Sequence, residues 1–190
     1  MSSPLFLDKN YSNSNFDSQS LTKGEYDGCN FSNCSFEKLN LSNYAFIDCK
    51  FNNCNLSNVI IKNTELKNSS FFKCKLLGLD FSTCNSFLLK CEFKDSNLSY
   101  CNFEGLDLKP FAFESCILLE TDFSNCDAKK LVFSNCNLQQ AIFKNSNLSQ
   151  TDFRTAFNYS FVPELNKVKA AKFSQNQIQG LLNHHQIIIE

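Results

Sequence analysis

Apolar side chains return along this chain every five residues. Stepping by five from Phe16, the positions read Phe16, Leu21, Tyr26, Phe31, Phe36, Leu41, Phe46, Phe51, Leu56, Ile61, Leu66, Phe71, Leu76 and Phe81. Leu88 follows after seven residues and opens a second series of fourteen, through Phe93, Leu98, Phe103, Leu108, Phe113, Leu118, Phe123, Ala128, Phe133, Leu138, Phe143 and Leu148 to Phe153. Two residues before each centre lies a second restricted position. It holds Cys29, Cys34, Cys49, Cys54, Cys74, Cys91, Cys101, Cys116, Cys126 and Cys136, with Ser14, Val59, Thr64, Ser69, Leu106, Ala141, Ser146 and Thr151 among the other occupants. The residues between are mainly Asn, Asp, Glu, Ser and Lys.

A period of five suits neither standard element. On a helix, five steps rotate a side chain by about 140° relative to its predecessor, so the apolar set would smear around the axis. On a continuous strand, each odd step would reverse the face. A centre and the residue two before it do share one side of an extended segment. To keep every centre inward, the backbone must turn once per pentad, which predicts a narrow coil of very short strands.

The segments C-N-F-S-N (29–33), S-N-L-S-Q (146–150) and T-D-F-R-T (151–155) resemble the pentapeptide-repeat family, whose pattern is a small residue, Asp or Asn, Leu or Phe, then two polar positions. The resemblance covers residues 14–155. It implies an all-β fold, a right-handed quadrilateral parallel β-helix with four repeats per coil, here followed by a short C-terminal helix. Like residues then stack at a spacing of twenty: Phe31, Phe51 and Phe71 in one column, Cys34, Cys54 and Cys74 in another. Phe93, Phe113, Phe133 and Phe153 form the corresponding core of the second block. The expected organisation is an N-terminal cap over 1–13, a β-helix over 14–155, and a partial last coil, helix and tail over 156–190. The β-helix divides into blocks 14–83 and 86–155, joined by a two-residue insertion at 84–85.

This reading gives the cysteines a packing role, since a buried thiol behaves as a compact hydrophobe. No C-x-x-C pair occurs and both histidines, His184 and His185, lie near the chain end, so no metal or other cofactor is expected. The histidines read as a surface pair. There is no G-x-G-x-x-G or P-loop motif, and paired carboxylates fall only at exposed repeat positions, so no enzyme is expected. Formal net charge is −1, spread evenly, which argues against direct binding to nucleic acid. The N-terminus lacks a signal-peptide pattern and no apolar run approaches the roughly 18 residues of a membrane span, so a cytoplasmic location is expected.

Beyond Phe153, V-K-A-A-K-F (168–173) keeps the twenty-residue spacing and reads as a further partial coil after a turn at Pro163. Ser174 is a helix cap by type, with Ile178, Leu181 and Leu182 on one face of the helix it would start. These residues, with Ile187 to Ile189, are expected either to cap the shaft or to join two monomers. A second group of apolar residues falls at nominally outward positions: Phe72, Leu77, Phe87 and Leu89 near the insertion, and Ile117, Leu119, Val132 and Ile142 beyond it. They are candidates for a partner-binding patch.

The tail resembles that of quinolone-resistance members of the family. That resemblance implies a protein-binding rod that modulates or protects DNA gyrase or topoisomerase IV by mimicking a duplex. The near-neutral charge departs from what mimicry requires, because DNA presents one negative charge per about 1.7 Å. A general protein-interaction scaffold is the alternative.

Overall fold

The fold is a four-sided parallel β-helix, seen in a computed structural model that describes residues 3–188. Two faces carry regular sheets. On the first, strands Leu5–Leu7, Glu25–Asp27, Ala45–Ile47 and Glu65–Lys67 pair in parallel. On the second, seven short strands stack in parallel from Asn10–Ser12 to Phe133–Ser134. The other two faces are held by single bridges, such as Asn15 to Ser35 and Asn102 to Asp122. Register steps by twenty, as in Phe31 with Phe51, except across the interruption, where Phe71 pairs with Phe93.

The corners follow from local chemistry. The residue two after a centre commonly has positive φ, with Asn at many of these sites, including Asn33, Asn53, Asn63, Asn125 and Asn145. Asn tolerates the left-handed region better than other residues with a side chain. Asn or Asp one before the centre often closes an Asx turn: Asn40 Oδ1 accepts from the Ser42 amide at 3.0 Å and Asp122 Oδ1 from the Ser124 amide at 2.7 Å. Where neither Asn nor Gly is present, the left-handed corner costs about 1–2 kcal/mol. Lys130, at φ 65, is such a corner and is exposed. Lys130→Gly is expected to raise stability by about 0.5–1 kcal/mol, less than the full relief because glycine adds unfolded-state entropy. Urea denaturation would read this, and a loss of stability would contradict the corner assignment.

The interior is a column of stacked rings. Phe31, Phe51, Phe71, Phe93, Phe113, Phe133 and Phe153 are buried on the second face, and successive centroids lie 4.8 to 5.7 Å apart. Rings of neighbouring faces meet edge to face, as in Phe81 and Phe93 at 5.6 Å. Such stacked and T-shaped pairs add to the hydrophobic term. All eleven cysteines are unbridged and buried, Cys34, Cys54 and Cys74 among them.

The small inward position has a role beyond fit. Its donor reaches the carbonyl of a centre one coil back: Cys49 Sγ to Tyr26 O at 3.2 Å, Cys74 Sγ to Phe51 O at 3.3 Å, Thr64 Oγ1 to Leu41 O at 2.8 Å and Ser146 Oγ to Phe123 O at 2.7 Å. Cys, Ser and Thr share both small size and a donor, which is why they interchange here.

The interruption differs from its expected place. Cys84 and Asn85 continue the twenty-residue register: the Asn85 amide donates to Thr64 O at 3.0 Å and Cys84 is buried. The chain then loops out over Ser86 to Leu88 and returns at Leu89. The Lys90 amide donates to Leu66 O at 3.0 Å, so Leu89 takes the inward place above Leu66. Leu89 is 6% exposed and Leu88 is 64% exposed, the reverse of their expected orientations. The physical reason is that Cys84 fits the small inward site, so the frame holds until Asn85.

The end of the chain also departs from expectation. Residues 167–173 extend the shaft, with Phe173 stacked on Phe153 at 5.2 Å and 2°. The helix that follows is 3-10, in two pieces, Gln175–Leu181 and Asn183–His185. Ser174 precedes it, but its side chain makes no capping hydrogen bond. The Phe161 amide donates to Gly180 O at 3.3 Å, and a Cβ on Gly180 would lie 1.9 Å from Tyr159 O. Leu181 packs against the core and Leu182 is half-buried, while Ile178 and Ile187 stay exposed. Ile189 lies outside the described residues. No described helix is long and apolar enough to cross a membrane.

Candidate partner-binding surface

The outward loop is the main irregularity of the shaft. Asn85 Oδ1 accepts from the Phe87 amide at 3.0 Å, and the Leu89 amide donates to Ser86 O at 3.4 Å, so the loop is a tight turn. Leu88 takes φ 57 at its tip. These constraints point Phe87 and Leu88 into solvent, and Phe87 is 67% exposed. Beneath them opens a groove of about 700 Å³, lined by Ile47, Lys67, Leu88, Leu89, Leu106 and Pro110 among others. The Lys67 ammonium lies 5.5 Å from the Phe87 ring centroid and pairs with the Glu65 carboxylate. The surface thus joins two projecting apolar side chains, a groove and a cation held at its rim.

The remaining outward candidates lie apart from this site. Phe72 is on the second face, aligned with Asn52 and Lys94, and Lys73 Nζ sits 5.0 Å from its ring. Ile117 bridges Asn97 and Asn137 on the third face, where Leu77 and Leu119 are half-buried. Ile142 bridges Asp122 on the fourth, and Val132 bridges Asp152 on the second. The sequence series therefore divides over three faces and makes no single patch. Leu89 faces the core and reaches the surface only as part of the groove's lining, not as a projecting anchor. Ile47, Lys67, Leu106 and Pro110 join the candidate set; they come from different coils, so no local motif marks them.

Charges are interleaved along the shaft. Lys94 pairs with Glu114 at 2.7 Å, Lys109 with both Asp107 and Asp127 at 3.1 Å, and Arg154 with Asp152 at 2.7 Å. These exposed pairs contribute little stability, but they neutralise neighbouring carboxylates. The thiols are all buried, which keeps them from solvent and from reagents in it. Burial pushes Cys49, Cys84, Cys101 and Cys126 up to about 12 and raises Cys91 as well, whereas hydrogen bonding with Cys74 and Cys136 lowers Cys54 and Cys116.

A four-sided coil with this register is the architecture of pentapeptide-repeat proteins, and the family model "Pentapeptide repeats" matches this chain in eight copies over residues 49–85 and 113–155. Among solved structures it is similar to a trypsin-treated form of QnrB1, a plasmid-mediated fluoroquinolone resistance protein. The TM-score is 0.74 at 16% identity, covering 100% of this chain and 92% of that one. A weaker likeness is to HetL of the cyanobacterium Nostoc sp. strain PCC 7120, a pentapeptide-repeat protein involved in heterocyst differentiation regulation, at TM-score 0.45 and 12% identity over 90% of this chain and 86% of that one. A search of curated proteins by sequence gave no match.

Proposed function

We propose that this protein is a non-enzymatic scaffold that binds another protein through the loop at Ser86–Leu88 and the groove beneath it. The observation that carries this reading is the exposure of two adjacent apolar side chains, Phe87 and Leu88, on a projecting loop beside an apolar-lined groove. Adjacent aromatic and aliphatic anchors on a rigid support are what a protein interface uses. The occupant is a protein segment with an apolar side chain for the groove.

A type II topoisomerase is the named candidate, supported by the fold likeness between the whole of this chain and trypsin-treated QnrB1. Mimicry of duplex charge is the weaker part of that reading, since carboxylates here alternate with lysines and the net charge is −1. The test is gyrase supercoiling with and without ciprofloxacin while the protein is titrated. Dose-dependent inhibition or drug protection, lost in a Phe87→Ala, Leu88→Asp double variant, supports gyrase as partner. No effect at micromolar protein removes gyrase and leaves the scaffold reading. The double variant is expected to fold with stability within about 0.5 kcal/mol of the parent, since both side chains are exposed. We place the protein in the cytoplasm, where its thiols stay reduced.

A further inference from the structure

The tail brings together three side chains that the sequence keeps apart. Asn183 Nδ2 donates to Ser160 Oγ at 3.1 Å, and the Phe161–Gly180 hydrogen bond holds the chain just before it. These ties set the last helical turn, Asn183–His185, beside the turn Pro163–Leu165. Gln186, at φ 55, ends that helical turn. His184 and His185 stack with ring centroids 3.9 Å apart, and His184 Nε2 lies 3.8 Å from Glu164 Oε2. One ligand atom from each of Glu164, His184 and His185 lies within 4.8 Å of the others. Among the described residues, no other group of His, Cys, Asp and Glu meets that condition.

We propose that Glu164, His184 and His185 form a site for a divalent transition metal of the zinc class, which clamps the C-terminal helix onto the end of the shaft. Two imidazoles and a carboxylate make a donor set suited to Zn(II), Co(II) or Ni(II); Mg(II) and Ca(II) favour oxygen alone. Ligands about 2.0–2.1 Å from a tetrahedral zinc stand about 3.4 Å from one another, so the side chains must close in by little more than 1 Å. All three are exposed and free to rotate that far. A fourth position remains for water. Glu164 separates this site from a bare histidine pair: it precedes His184 by twenty residues, one coil step, and lies on a different segment. Metal bound by all three therefore ties the tail down; metal bound by the histidines alone does not.

The test is calorimetric titration of the full chain with zinc sulfate under a non-thiol reductant. One ion per chain is expected, and Glu164→Gln should weaken binding by at least about tenfold, since losing a ligand should cost no less than losing a group that merely supports one. Cobalt(II) should bind without a thiolate charge-transfer band. Zinc should also slow C-terminal trimming by a serine carboxypeptidase in the parent and not in Glu164→Gln. Equal zinc affinity in the parent and Glu164→Gln, a thiolate band, or trimming indifferent to zinc would each overturn the proposal.

Discussion

Phe51→Ala is expected to lower the unfolding free energy by about 3–5 kcal/mol, the range for deleting a fully buried phenylalanine. Phe51 is 1% exposed and lies between Phe31 and Phe71 at 4.9 and 4.8 Å, with Phe36 and Phe46 edge-on at 5.8 and 5.5 Å. Alanine would leave a gap that backbone pairing above and below prevents from collapsing, because Lys50 and Asn52 are both in ladders. Each repeat contacts mainly its neighbours, so loss of amide protection should centre on the coils carrying Phe31 and Phe71. Urea denaturation with hydrogen exchange measures both. A change below about 1 kcal/mol would mean that the ring column is not the main source of cohesion.

Alkaline conditions should unfold the protein well before its amide chemistry suffers. Cys49, Cys84, Cys101 and Cys126 are each pushed up to about 12 by burial. In the unfolded chain a thiol titrates near about 8.5. The folded state thus holds protons that the unfolded state releases, and stability falls as pH rises. Their contribution is fully present below about pH 8.5 and is lost progressively as pH climbs toward about 12. At pH 10 each such thiol costs on the order of 2 kcal/mol, so several together take a large share of an ordinary domain's stability. Urea midpoints at pH 7.5, 9 and 10 under reductant would show it. Cys49→Ser should flatten the slope by one thiol's share while keeping the hydrogen bond to Tyr26 O. A midpoint unchanged through pH 10 would refute the argument.

The periodic shaft was legible because one physical requirement, an inward side chain after every corner, repeats in each pentad. Asn33 and Asn53 announce their corners, and Phe31 and Phe51 their column. The hydrogen-bonding role of Cys49 and Cys74 was hidden, since a thiol's size alone accounts for its burial. The interruption misled because Cys84 satisfies the small inward position as well as any repeat cysteine, and because Leu88 and Leu89 are chemically identical neighbours. Only the Lys90–Leu66 hydrogen bond distinguishes them. The groove was not legible: Ile47, Lys67, Leu106 and Pro110 meet only when the coil winds. The tail helix looked capped by Ser174, but the contact of Gly180 with Tyr159 decides its path.

The loop at Ser86–Leu88 has a geometric consequence for the whole rod. It takes up the extra chain sideways, so Phe93 still lands over Phe71 and the coils beyond keep the same azimuth as those before. An added pentad would instead turn everything downstream by a quarter revolution. Loop and tail would then look in different compass directions, although every local contact survived. Changes in length that preserve their relative bearing must come in whole coils of twenty residues, or as excursions of this kind.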